Sequence, residues 1–236
     1  MTALTLTFDD GPDPRWTARV LDALDACGGR ATFFVIAPRA LAEPALVERM
    51  VAAGHGVELH CDEHIRHGER SRGWVAADTD RALTRLEALG VRPQLWRTPW
   101  GDCAPWSGEL AAARGLTLVG WTHDTHDWRG DSAAAIDAAI GPRLHAGSVV
   151  LCHDGLGPGA CRDGCEQTVA FVARAAERAR ALGLALMPLG PDGTPLHPDD
   201  RDVNAASRID AERAAEVRRV GAAGASTPGM LPRFDA

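Results

Sequence analysis

Lysine is absent: all 25 basic residues are Arg. This excludes a Schiff-base lysine and the lysine of a phosphate-binding loop. Tyrosine is absent as well, so seven Trp and five Phe supply all the aromatic surface. No uninterrupted apolar run is long enough to span a bilayer. No basic run exists, and the net charge is −7, so nucleic acid and anionic membranes are poor partners. No apolar signal region separates Met1 from Asp9 and Asp10, and the expected location is therefore cytoplasmic. Six Cys in 236 residues are too few for a disulfide scaffold. Cys61 and Cys152 fall inside site motifs, which points to a reducing compartment. Cys161 and Cys165 lack a matching second Cys or His pair. They read as a loop thiol and a buried helix thiol rather than a metal knuckle.

What is present is an alternation of strand and helix. Strand-like runs are Leu4–Phe8, Ala31–Ile36, Gly56–His60, Gln94–Arg97, Leu116–Trp121, Ser148–Cys152 and Leu184–Met187. Helical periodicity covers Trp16–Ala26, Pro44–Ala53, Asp78–Leu89, Pro105–Arg114, Ser132–Leu144 and Glu166–Leu182, most of them closed by Gly. Strand, helix, strand in repeated order implies βαβ units and a parallel sheet. Residues 1–189 form one α/β unit. Residues 190–236 read as an appendage: a turn-rich start, a charged Ala-rich helix over Ala205–Val220, and a compositionally flexible stretch, Gly221–Ala236.

The organising stretch is Thr5-Leu6-Thr7-Phe8-Asp9-Asp10-Gly11-Pro12. Two carboxylates at a strand end repel each other, and a cation or an Arg offsets that cost. His60 and His64, four residues apart, share a face if they lie on a helix or its first turn, and can share a metal. With Asp10 they make a three-ligand set that leaves positions open, the form of a catalytic site. Asp9 is then free to act as a base. Arg97-Thr98-Pro99-Trp100-Gly101 ends a strand; Arg97 is placed to hold Asp9, and the Trp100 N–H to meet an oxyanion. Asp124-Thr125-His126-Asp127-Trp128 collects two carboxylates, an imidazole and an indole. His153 follows an apolar strand, and an acidic partner would keep it protonated as a general acid. His123 and His126 read as structural or surface groups. Polar clusters at the C-terminal ends of five strands are barrel behaviour, whereas an open sheet concentrates them at one switch point.

Taken in order, these segments resemble the five motifs of the polysaccharide deacetylase family (carbohydrate esterase family four, the NodB-homology domain). The resemblance covers residues 4–189. It implies a distorted (β/α)7-type barrel and a metal-dependent N-deacetylase of acetamido sugars. It implies Asp9 as catalytic base, Asp10, His60 and His64 as metal ligands, and Arg97 as the tether of the base. Asp127 would tune His153, the general acid. Trp100 and Trp128 would wall the groove, and Leu151 would meet the acetate methyl. Zn2+ is the expected cofactor, with another divalent metal such as Co2+ as the alternative. An O-acetyl sugar esterase or a catalytically silent sugar-binding barrel are the competing functions. Three positions depart from the family pattern. Cys61 stands where Ser or Thr is usual, Trp100 where Tyr is common, and Asp62 and Glu63 add negative charge beside the metal. No feature sets an oligomeric state.

Overall fold

The computed structural model describes residues 3–198. Eight strands are β1 (Ala3–Asp9), β2 (Thr32–Ile36), β3 (Gly56–Cys61), β4 (Leu95–Trp96), β5 (Thr117–Leu118), β6 (His123–Asp124), β7 (Val149–His153) and β8 (Ala185–Leu186). Seven helices are α1 (Trp16–Cys27), α2 (Ala37–Ala42), α3 (Pro44–Ala52), α4 (Arg72–Ala88), α5 (Ser107–Ala112), α6 (Ala133–Ile140) and α7 (Glu166–Ala181). All strand pairs are parallel, in the order β5-β4-β3-β2-β1-β7-β6, with β8 added to the start of β1. This is the expected (β/α)7-type barrel.

Alternation along the strands sorts two cores. Leu4, Leu6 and Phe8 face outward and pack with Val20, Leu21 and Leu24 of α1 and Phe171 and Val172 of α7. The opposite face lines the lumen, where Phe34, Leu95, Val149 and Leu189 form a small apolar plug. The Thr residues of β1 are lumen residues too, although alternation with Leu looks like a solvent face. Both are fully buried, with Thr5 Oγ1 donating to the Met187 carbonyl and Thr7 Oγ1 to that of Val150. Their hydroxyls are satisfied, as buried polar groups must be.

The two ends of the sheet, β5 and β6, are joined by residues 119–122 alone. No ladder joins them among the described residues. The barrel closes through that short segment, and Arg97 stitches it: the guanidinium donates to the carbonyls of Val119 (3.4 Å) and Gly120 (2.7 Å).

In several places the fold differs from the sequence expectation. The strand expected over Leu116–Trp121 shortens to β5, because the chain crosses the seam over residues 119–122, and β6, which the sequence reading did not anticipate, follows at His123–Asp124. α2 begins directly after β2 with Pro38 in its first turn, a placement that Pro tolerates. α4 starts at Arg72 rather than Asp78, because Ser71 caps it by accepting from the Trp74 N–H. Of the appendage expected over 190–236, residues 190–198 are described. They fold back as a turn in which Leu196 N donates to the Pro188 carbonyl and Gly190 N to that of Thr194. The helix expected over Ala205–Val220 and the stretch Gly221–Ala236 lie outside the described residues. Among those described, no helix is long and apolar enough to cross a membrane.

Candidate active site

The C-terminal ends of β1, β3, β4 and β7 open into a cavity of about 320 Å3, lined by Asp9, Asp10, His60, His64, Trp100, Trp128, Leu151 and His153 among others. Nearly all the residues singled out from sequence therefore meet in one place. Arg97 and Asp127 lie just beneath, fully buried.

Asp9 and Asp10 are neighbours in the chain, and in a continuing strand their side chains would point to opposite faces. The backbone prevents this: Asp10 has φ 72. Asp10, Trp100 (φ 55) and His126 (φ 52) are the non-glycine residues with positive φ among those described, and all three sit at this rim. Left-handed backbone at a side-chain-bearing residue is costly and concentrates where function holds it. Arg39 secures the Asp10 turn, donating to its carbonyl at 2.7 Å. Gly157 packs over it so closely that a Cβ there would collide with the Asp10 carboxylate.

Asp10 Oδ1 lies 3.1 Å from His64 Nε2 and 3.4 Å from His60 Nε2, and ligand atoms of the three residues fall within 4.8 Å of one another. Oδ1 is buried and has no hydrogen-bond partner. Burial alone would raise the Asp10 pKa, but the two imidazoles hold it well below the usual carboxylate range. His60 Nδ1 donates to the Arg97 carbonyl at 2.7 Å, which turns the Nε2 lone pair toward Asp10. Burial opposes charge on His60, yet Asp10 and Asp9 outweigh it and raise its pKa, so a proton and a cation compete for this nitrogen. Two imidazole nitrogens around an orphaned carboxylate oxygen fit a divalent metal.

The His60–His64 pair is not helical. His60 is in β3, and His64 follows in an irregular loop. That loop is held from α4: Asp78 accepts from the backbone N–H of Asp62 (3.1 Å) and Glu63 (3.0 Å). The expected surplus charge beside the metal is also corrected. Asp62 is paired with Arg81 (3.2 Å) and Arg85 (2.7 Å), and Glu63 with Arg81 (3.0 Å). Cys61 is buried, and burial pushes its thiol pKa well up, so it stays a neutral thiol.

Asp9 Oδ1 accepts from Arg97 Nη1 at 2.9 Å. Arg97 also donates to Thr7 Oγ1 (2.7 Å), and its guanidinium stacks 4.2 Å from the Phe34 ring. Across the β1–β7 ladder, Asp9 stands in register with His153. His153 Nδ1 meets Asp127 Oδ1 at 2.7 Å. Burial disfavours the imidazolium, but the Asp127 charge and hydrogen bond win and push the His153 pKa up to about 9. Asp127 itself is pulled well below the usual carboxylate range against its burial, first by the His153 charge.

Trp100 and Trp128 are partly exposed, at 39% and 37%, and flank the opening. Trp100 lies edge-on to His64, with ring centroids 4.2 Å apart. Leu151 is buried in the floor. Asp124 lines the cavity but accepts from the His126 N–H. His123 faces the Arg143 carbonyl, a structural role. Sequence reasoning missed Arg39, Asp78, Arg162 and Thr168, which act through contacts far away along the chain. It also assigned no role to Asp154, which is buried and accepts from Thr17 Oγ1 at 2.5 Å. Burial pushes the Asp154 pKa up to about 7.

Residues 2–119 match the family described as Polysaccharide deacetylase. A chitooligosaccharide deacetylase of Bradyrhizobium sp. (strain ANU 289) is 34% identical over 206 residues, covering 82% of this chain and 87% of that protein. A peptidoglycan-N-acetylglucosamine deacetylase of Bacillus cereus is 33% identical over 153 residues, covering 64% of this chain and 55% of its own. The family 4 carbohydrate esterase from Streptomyces lividans, solved in complex with acetate, superposes with a TM-score of 0.74 at 32% identity, over 84% of this chain and 98% of that one. Motifs, barrel and relatives agree: the chain belongs to the polysaccharide deacetylase family.

Proposed function

We propose that this protein is a metal-dependent N-deacetylase of N-acetylglucosamine-type sugars, releasing acetate and a free amine. The observation that carries the reading is one cavity with a carboxylate base on one side and a protonated imidazole on the other. Asp9 and His153 sit in register on adjacent strands, and a cation site adjoins them. The chemistry supplied by a divalent cation at Asp10, His60 and His64, with Zn2+ the first expectation and Co2+ the alternative, is Lewis acidity toward the amide carbonyl and acidification of a water.

The chain's own residues do the rest. Asp9 takes the proton of the attacking water, and Arg97 keeps the carboxylate aimed. The Trp100 N–H meets the developing oxyanion. His153 delivers its proton to the leaving nitrogen as the C–N bond breaks. Leu151 packs against the acetyl methyl, and Trp100 and Trp128 stack on the sugar. An amine departs only when protonated, so an imidazolium buried against Asp127 favours amide over ester substrates.

The deciding experiment is acetate release from N-acetylglucosamine oligomers, with O-acetylated sugars alongside, by metal-stripped and Zn-reloaded protein. Loss on stripping and recovery on reloading are expected. Release that ignores chelation, or no release from any acetamido sugar, overturns the reading.

The acid can be tested separately. In metal-free protein, an NMR titration should place the His153 imidazole near pH 9. Asp127→Asn should lower it, because the charge and hydrogen bond that oppose burial are lost and only the charges of Asp9 and Asp10 still favour the imidazolium. A raised His pKa also has a sign for stability. The raised His153 pKa contributes stability that is fully present below about pH 6.5 and is lost as pH rises through about 9, whereas the lowered Asp127 pKa contributes stability that is lost in acid, below the ordinary carboxylate range.

A further inference from the structure

The acid dyad is not self-supporting. The β6–β7 ladder pairs only His123 with Val150 and Asp124 with Leu151, so on the β6 side backbone pairing stops short of Asp127 and His153, although His153 is paired with β1 on its other side. Side chains take over. Asp127 Oδ2 accepts from the His153 backbone N–H (2.9 Å), Thr168 Oγ1 (2.6 Å) and Arg162 Nη1 (3.1 Å). Arg162 Nη1 also donates to Thr168 Oγ1 at 2.6 Å, and Nη2 to the His153 carbonyl at 3.0 Å. One guanidinium therefore grips both members of the dyad: the Asp127 carboxylate and the His153 backbone. The side chain is only 5% exposed, yet Arg162 lines the catalytic cavity. Its segment is tied to the cavity wall, because Cys161 N donates to the Trp128 carbonyl at 2.8 Å.

Resting on the deacetylase reading, we infer that Arg162 is a positioning residue for the general acid. By clamping Asp127 Oδ2 and the His153 carbonyl together, it locks the imidazole with Nδ1 on Asp127 and leaves Nε2 for the substrate. Lysine cannot do this, since a single ammonium lacks the planar fork that reaches both acceptors.

The test uses Arg162→Ala and Arg162→Lys. The readouts are kcat and KM on N-acetylglucosamine oligomers, zinc per chain, and the His153 Nδ1–H proton resonance of metal-free protein. Arg162→Ala should lower kcat by about 10- to 100-fold, with KM and zinc content unchanged. Added guanidinium ion should restore part of the loss, and ammonium should not. Arg162→Lys should be impaired in the same sense, and it carries the test if the alanine variant does not fold. Unchanged kcat, a loss confined to KM or to zinc content, or no rescue would overturn the inference. If wild-type protein releases no acetate, the deacetylase reading fails, and the resonance decides alone. Its displacement in the variant and return with guanidinium support the clamp; an unmoved resonance refutes it.

Discussion

Asp9→Asn is expected to lower kcat for acetate release by about 10³-fold, with KM and metal content close to wild type. Asn is nearly isosteric, and its carbonyl oxygen can still accept from Arg97 Nη1, which lies 2.9 Å from Asp9 Oδ1. Only proton affinity is lost. Asp10, one residue away, cannot substitute. Its positive φ turns its carboxylate toward His60 and His64, whereas Asp9 stays in the strand and faces Arg97. The two adjacent carboxylates are thus given different tasks by one backbone angle. Steady-state acetate release, with zinc measured per chain, reads the two separately. Asp10→Asn should lose metal as well as activity, and Asp9→Asn should lose activity alone. If Asp9→Asn kept more than a tenth of wild-type kcat, another group would have to take the proton, and the assignment of the base would fall.

Legibility in the sequence follows the length of the signal. β1, β3 and β7 are apolar runs that end in or beside Asp, His or Cys, so the amino-acid order alone marks both the strand and the chemistry at its end. β6 is two residues long, His123–Asp124, with no apolar pattern, because it pairs only with β7 and closes the sheet at a seam. The His60–His64 spacing suggests helical reach, but three intervening residues also suffice when a strand end and a loop converge on one point. Asp78 makes that convergence possible from a helix, and nothing local in its sequence marks it. Arg162 has the same difficulty. In the chain it is one Arg in a Gly-rich segment, 35 positions from Asp127, and only the barrel brings the two together.

Arg97→Met should be the most destabilising single change at the site. Arg97 has no exposure, and its donors serve Asp9, Thr7 Oγ1 and the Val119 and Gly120 carbonyls. Methionine fills much of the volume and satisfies none of them. Breaking a buried pair by removing one partner costs about 3–5 kcal/mol, which lowers the midpoint of thermal unfolding by roughly 6–20 °C at this size. The seam beyond β5 and β6 would open first, since those two carbonyls belong to it. Hydrogen exchange at residues 119–122 should rise ahead of the rest. Activity falls too, because Asp9 loses its tether. Asp9→Asn in the Arg97→Met background separates the two effects. Removing the second charge leaves no lone buried carboxylate, so the double variant should recover part of the lost stability and none of the lost turnover. A double variant as unstable as Arg97→Met would mean that the guanidinium stabilises the fold through Thr7 Oγ1 and the seam carbonyls, and that its contact with Asp9 contributes nothing to the fold.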